Sequence, residues 1–197
     1  MAQSPENKTL SRIFASGRGW AFSQSDFANL GPRSSIDSSL YKLEGSNKIR
    51  RVLRGIYDYP RCSDFLKKSV SPDLDQVLHA LARKFAWRIQ PDGATAQNLL
   101  GLSTQVPAQI IYLSDGPNRS DKIGKTALVF QHTALKEAGF KLRESSLIVP
   151  AIKSFREEGI APNVISKTRD FIDSGLREKI LIDTKTATGW VYSVKKK

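Results

Sequence analysis

Apolar residues in the first part of the chain predict a series of short elements. Residues 8–16 carry Leu10, Ile13 and Phe14 at helical spacing, which predicts a first helix with one inward face. The aromatic run at 20–22 predicts a small strand, because aromatic side chains favour strands. The chain is therefore expected to begin with a helix and a short strand.

Two further helices are predicted next. The first begins at Ser23 as N-cap and ends at Gly31. The second covers residues 34–44, with Ser34 or Ser35 as N-cap and a glycine as its end. Three of its apolar residues share one face at spacings i, i+4 and i+7: Ile36, Leu40 and Leu43.

A β-hairpin is predicted directly after these helices. In residues 48–57 apolar and basic side chains flank a turn at Arg54-Gly55, and every charge from Lys48 to Arg54 is positive. Pro60 then prevents the second strand from continuing in a central sheet position. Helix, turn, helix and basic hairpin follow one another as in a winged helix-turn-helix.

This arrangement is suited to duplex DNA. A helix with its apolar stripe in a core shows its other face to solvent, and here that face carries short hydroxyls that approach base edges closely. A basic hairpin grips phosphates or the minor groove. The hypothesis requires both features to be exposed. The expected DNA-binding residues are Arg33, Ser34, Ser35, Ser38, Tyr41, Lys42, Lys48, Arg50, Arg51 and Arg54.

Composition supports an anionic partner. The 197 residues are 40% hydrophobic, enough for one or two domains, and the net charge of +12 favours nucleic acid, with an acidic protein or an anionic membrane surface as competitors. The single cysteine, Cys62, excludes an intrachain disulfide and a metal site built on paired thiols. No apolar leader or membrane-length apolar run is present, so we expect a soluble cytoplasmic protein without a membrane partner.

The rest of the chain is expected to form a second domain. The boundary is placed after Arg61, giving a winged domain over 1–61 and a mixed α/β domain over 62–197, so that the fold class is α+β. A helix is predicted from Ser71, with Pro72 at its first position. Strands are predicted at 85–90, 108–113 and 127–130, and further helices at 94–100, 144–158, 164–172, 176–182 and near Trp190.

Motifs for catalysis are sparse in this second domain. Gly124-Lys125-Thr126 matches the end of a phosphate-binding loop, but Arg119 stands where that loop needs a glycine. We therefore expect no catalysis, cofactor or metal. One alternative is a metal-dependent nucleic-acid-processing enzyme using acids such as Asp92 and Asp115. Another is a non-catalytic adaptor whose basic surface binds an acidic protein.

Two runs, IRRVLRGIYDYP at 49–60 and NLLGLSTQVP at 98–107, resemble the AbiEi-type antitoxins of type IV toxin-antitoxin systems. The similarity extends from about Gly17 to Thr133. By this resemblance the first domain would bind inverted repeats in its own promoter and repress transcription, and the second would counter a cognate nucleotidyltransferase-like toxin.

The resemblance also distributes roles among the residues. It implies that Ser34 to Lys42 form the groove-entering helix and that Arg50, Arg51 and Arg54 form the wing. The partners that the resemblance implies are double-stranded promoter DNA and a cognate toxin. Inverted-repeat binding implies two copies on one site, as monomers or as a weak dimer on the DNA.

Overall fold

The structure is a computed structural model that describes residues 4–63, 67–105, 108–133, 140, 142–155, 160, 162–185, 189 and 191. The chain divides into two compact units, Met1–Trp87 and Arg88–Lys197. Both contain helices and strands, so the protein has the α+β fold that the sequence predicts.

The N-terminal unit combines short helices with two small sheets. Its elements are α1 (Pro5–Ser16), β1 (Ala21–Phe22), a 3-10 helix (Gln24–Phe27), α2 (Arg33–Gly45), β2 (Arg50–Leu53), β3 (Ile56–Asp58), β4 (Cys62–Ser63), β5 (Lys68–Ser69) and α3 (Leu74–Phe85). One antiparallel sheet has the order β1-β3-β2, and β4 pairs with β5. From α1 to β3 this is the arrangement of a winged helix-turn-helix.

The core of this unit forms where the periodicity predicts it. Ile36, Leu40 and Leu43 lie on one face of α2 and are at most 2% exposed. They belong to the same buried cluster as Ile13 of α1 and Phe22 of β1. Full burial of each such side chain contributes about 1.5–3 kcal/mol, so this cluster holds α2 against the rest of the unit.

The N-cap of helix α2 lies two or three residues earlier than predicted. Pro32 is its N-cap, and the Pro32 carbonyl accepts hydrogen bonds from the backbone N–H groups of Ser35 and Ile36 at 3.0 and 3.1 Å. The expected N-caps Ser34 and Ser35 therefore lie inside the first turn. The ring of Pro32 fixes its φ at −59° and disfavours a helical conformation in the residue before it, so α2 does not extend further back.

Helix α3 begins later than predicted. Its N-cap is Asp73, whose carboxylate accepts a hydrogen bond from the Gln76 N–H at 3.3 Å, so Ser71 and Pro72 precede the helix. A carboxylate satisfies a free N–H and also interacts favourably with the positive end of the helix dipole. The correct cap lies two residues beyond the expected one.

The compact N-terminal unit extends past the boundary expected after Arg61. Helix α3 packs on β1 and on the 3-10 helix. Its Arg83 donates to the Asp26 carboxylate at 2.6 Å and to the Ala21 carbonyl at 2.8 Å. These contacts join residues 74–85 to the winged fold, and the unit ends at Trp87.

The C-terminal unit contains a mixed sheet and several helices. Its elements are β6 (Ile89–Pro91), α4 (Gly93–Leu99), β7 (Gln109–Ser114), β8 (Arg119–Ile123), β9 (Thr126–His132), α5 (Arg143–Ser154), α6 (Pro162–Phe171), a 3-10 helix (Ser174–Leu176) and α7 (Arg177–Asp183). The sheet order is β6-β7-β9-β8, with β7 and β9 parallel and the other pairs antiparallel. An apolar cluster joins α4, α5 and α7.

The strands of this region differ from the predicted ones in two places. The strand predicted at 85–90 is wrong over residues 85–88, because α3 continues to Phe85 and the strand begins at Ile89. Strand β8 is not predicted from the sequence. The helix expected near Trp190 falls on a residue outside the described ranges. Within those ranges, no helix has the length and apolarity to cross a membrane.

Candidate nucleic-acid interface

The solvent-facing side of α2 carries a line of small polar groups and one aromatic ring. Ser34, Ser38 and Tyr41 are exposed and lie at i, i+4 and i+7, so they share one face. Tyr41 is 77% exposed, which is unusual for a large aromatic residue. The hydroxyl face of α2 is thus open to solvent, as the DNA-binding hypothesis requires.

Charged residues border this line on both sides. Lys42 donates to the Glu6 carboxylate at 3.3 Å, and Arg33 lies 3.7 Å from the Asp37 carboxylate. Both pairs are exposed, so each contributes little to stability and leaves its cation accessible. Ser35 is half-buried at the edge of the face.

The wing is the hairpin of β2 and β3, with its turn at Arg54-Gly55. Gly55 has φ of +72°, a conformation that only glycine adopts readily. A Cβ at Gly55 would lie 2.8 Å from Nζ of Lys84 in α3. The same Nζ donates to the Arg54 carbonyl at 3.2 Å, so α3 supports the wing turn.

The structure corrects the role expected for Arg50. Its guanidinium donates to both carboxylate oxygens of Asp58, at 3.0 and 2.5 Å, and to the Val70 carbonyl at 3.0 Å. The Asp58 side chain is only 2% exposed. Arg50 is therefore occupied in neutralising a buried carboxylate and is not a free wing cation.

Strand geometry explains why neighbouring arginines differ. Successive side chains of a strand point to opposite faces of the sheet. Arg50 is paired with Asp58, whereas Arg51 lies opposite Tyr57 and is exposed. Tyr57 packs against the buried cluster that includes the inward face of α2, so Arg51 lies on the same side of the sheet as α2.

Arg51, Arg54 and Lys48 form the exposed cationic part of the hairpin. Beside them, the pKa of Tyr57 is raised, first by burial and then by the Glu44 carboxylate; Arg51 acts in the opposite direction, and Asp37 adds to the rise. The Tyr57 hydroxyl, whose ordinary pKa is 10.0, is neutral at physiological pH with or without this rise. It provides a hydrogen-bond donor next to Arg51 on the α2 side of the hairpin.

Two residues of this region were not predicted. Lys84 positions the wing turn, and Arg83 ties α3 to β1. The helical periodicity of residues 74–85 is visible in the sequence, but it does not indicate which sheet the helix covers. This information comes from the tertiary packing.

Asp92 and Asp115 are the acids expected to act if the protein were a metal-dependent nucleic-acid-processing enzyme. Both make contacts within the fold. The Asp92 carboxylate caps α4 by accepting from the Thr95 N–H at 2.8 Å. Asp115 accepts from the side chain of Arg88 at 3.0 Å, and this hydrogen bond is the main reason that the pKa of Asp115 is lowered. In the part of the chain that the structure describes, no group of three or more His, Cys, Asp or Glu side chains is placed to hold a metal ion.

The fold and the exposed face define the class: an α+β protein with an N-terminal winged helix-turn-helix unit. A family model matches residues 8–180, and the chain belongs to that family, DUF6088, described as a family of unknown function. The match includes all of α2 and the wing and most of the C-terminal unit. No curated protein matches the chain.

Proposed function

We propose that the protein is a DNA-binding transcriptional repressor that reads duplex DNA with α2 and the wing. The observation that carries this proposal is the exposed line Ser34, Ser38 and Tyr41 on α2 together with the exposed Arg51 and Arg54 on the adjoining hairpin. The helix supplies groups that contact base edges, and the hairpin supplies positive charge for the phosphates or the minor groove.

The chemistry of the exposed face of α2 favours DNA over an acidic protein as the partner. An α-helix with its side chains is about 10–12 Å across, which matches the width of the major groove. Short side chains on the outer face of α2 allow the helix backbone to approach base edges. An acidic protein partner would need the positive charge but would not need this neutral face between charged flanks.

The resemblance to AbiEi-type antitoxins supplies the biological setting of the proposal. In that setting the protein represses its own promoter by binding inverted repeats, as monomers or a weak dimer, and acts in the cytoplasm where the promoter is. The C-terminal unit counters a nucleotidyltransferase-like toxin. This second role rests on sequence resemblance. The proposal assigns no catalytic step to the chain, and the structural contacts of Asp92 and Asp115 support that assignment.

The first test is a gel-shift titration of the full chain with duplex DNA taken from immediately upstream of its coding sequence. We expect a retarded complex that an unlabelled copy of the same duplex removes and a duplex with scrambled repeats does not. If the protein shifts no duplex at low salt, the proposal is wrong. A stoichiometric complex with an acidic protein, unaffected by DNA, would favour the adaptor alternative.

The antitoxin role is tested separately by co-expression. The neighbouring open reading frame is expressed with the full chain or with a vector control, and growth is measured. Rescue of growth by the full chain supports the antitoxin role. Growth arrest that the chain does not relieve would contradict this role without affecting DNA binding.

A further inference from the structure

A carboxylate that phosphate binding does not explain borders the face of α2 that we assign to DNA. Asp37 is exposed to 54% of its side-chain surface and lies one turn before Tyr41, on the same flank of α2 as Arg33. A negative charge there is repelled by the phosphates of any DNA that α2 approaches. If α2 enters a groove, the Asp37 carboxylate lowers the affinity for DNA of any sequence. A specific contact of this carboxylate would offset that loss.

Asp37 also differs from most other acids of the N-terminal unit. Glu6, Asp26, Asp58 and Asp73 each have a carboxylate oxygen within 3.3 Å of a Lys or Arg nitrogen. The nearest approach of a cation to Asp37 is the 3.7 Å contact with Arg33, which is too long for a hydrogen bond. Among the described residues no hydrogen bond reaches the Asp37 carboxylate.

We infer that Asp37 is a specificity-determining residue that accepts a hydrogen bond from the amino group of a cytosine in the major groove. The inference deepens the proposed DNA binding and rests on it. A carboxylate only accepts hydrogen bonds, and the amino groups of cytosine and adenine are the base donors in the major groove. Adenine places the N7 acceptor beside its amino group, where it repels a carboxylate, so cytosine is the better match.

The neighbouring Arg33 complements the role that we assign to Asp37. Arg33 is 83% exposed and one helical turn away, so it is free to contact a phosphate while Asp37 faces a base. In such a pair each charged side chain contacts the DNA group that attracts it. The arginine contacts a phosphate, and the aspartate contacts the amino group of a base. Asp37 then rejects sites that place an acceptor at its position, which gives selectivity at the expense of overall affinity.

The test is selection of duplexes from a pool with randomised centres by the full chain, followed by titration of the selected duplex and of its single-base variants. The variants are Asp37→Ala and Asp37→Asn, with Glu44→Gln as a control that removes one negative charge elsewhere on α2. For Asp37→Ala we expect binding to unrelated duplexes to rise roughly two- to fivefold, as for loss of one surface charge. Discrimination for cytosine at one position should fall by about fivefold or more.

The two other variants separate base reading from charge. Asp37→Asn should move the preference at that position towards adenine, because an amide pairs with the adenine amino group and N7. Glu44→Gln should change overall affinity while leaving base preference as in the wild type. If Asp37→Ala strengthens binding to every duplex equally, the inference is overturned and the DNA-binding proposal stands. If the wild-type chain selects no duplex, both are overturned.

Discussion

The two units carry the same excess of positive charge but distribute it differently. Residues 1–87 contain 14 Lys and Arg against 8 Asp and Glu, and residues 88–197 contain 17 against 11. In the N-terminal unit, the hairpin of β2 and β3 carries three exposed cations, Lys48, Arg51 and Arg54. In the C-terminal sheet, the hairpin of β8 and β9 carries two exposed lysines, Lys122 and Lys125, and its strand arginine Arg119 is paired with Asp121.

This difference shows that net charge does not locate a nucleic-acid site. A cation contributes to DNA binding when it is exposed, free of an internal carboxylate and next to other such cations. Arg50 fails these conditions although it belongs to the most basic run of the sequence, because its partner is the buried Asp58. The proposal of DNA binding is therefore supported by the arrangement of cations on the fold and not by the net charge.

The largest expected effect is on stability and concerns Arg50. Replacing it by Ala leaves the Asp58 carboxylate buried without its partner, which costs about 3 kcal/mol of unfolding free energy. Urea unfolding followed by circular dichroism measures this loss. Arg51→Ala is the matched control, and its effect should stay within about 0.5 kcal/mol because the side chain is exposed. Equal losses for the two variants would contradict the division of roles within the hairpin.

The next effect is on DNA affinity and compares the two units directly. The double change of Arg51 and Arg54 to Ala should weaken binding to all duplexes by about 2 kcal/mol and lower the slope of log K against log salt by about 2. The matched control changes two exposed cations of the C-terminal unit, Lys122 and Lys125, to Ala. Fluorescence anisotropy should show no comparable loss for this control, and an equal loss would mean that net charge alone drives binding.

A glycine at a hairpin turn in each unit allows a second paired comparison. Gly55→Ala should destabilise the N-terminal unit by about 1 kcal/mol or more, because φ is positive and the new Cβ meets Lys84. Gly124→Ala has a positive φ too, but its Cβ would meet nothing within 4 Å. DNA affinity should fall for Gly55→Ala and stay unchanged for Gly124→Ala. If both variants bind DNA as the wild type does, the wing turn is not part of the interface.

The smallest effect is a pH dependence in the C-terminal unit. The pKa of Asp115 lies below its ordinary value of 3.8, chiefly because the Arg88 side chain donates a hydrogen bond to it. A carboxyl group whose pKa is lower in the folded state stabilises the fold at pH values above its unfolded-state pKa. This stabilisation is lost as the pH falls through the folded-state pKa. Urea midpoints below pH 5 should therefore fall slightly more steeply in the wild type than in Arg88→Ala. Identical pH profiles would show that the pair has no effect on folding.

The sequence predicts α2 and the hairpin of the winged arrangement well because the relevant signals are local. The helix expected from Ser23 to Gly31 is instead a short 3-10 helix, Gln24–Phe27. Periodicity identifies the inward residues Ile36, Leu40 and Leu43, and the glycine-containing turn identifies the hairpin. Both follow from distances of a few residues along the chain. The exposure of Ser34, Ser38 and Tyr41 follows from the same periodicity, since the face opposite a buried stripe is solvated.

What the sequence does not predict depends on contacts between distant segments. Alternation shows that Arg50 and Arg51 point to opposite faces of the sheet, but it does not say that the face of Arg50 carries Asp58 and the Val70 carbonyl. Strand β8 is missed because its residues are mainly polar and charged. Such a composition is tolerated in a strand that pairs on one side only.

The central claim is that α2 and the wing of the N-terminal unit bind duplex DNA. Its most direct test is the salt dependence of binding between the full chain and a duplex from its own upstream region, measured by fluorescence anisotropy from about 50 to 200 mM salt. We predict tight binding at low salt, a linear fall of log K with log salt, and a shallower slope for the Arg51 and Arg54 double variant. Absence of binding at the lowest salt, or the same slope for that variant and the wild type, would contradict the claim.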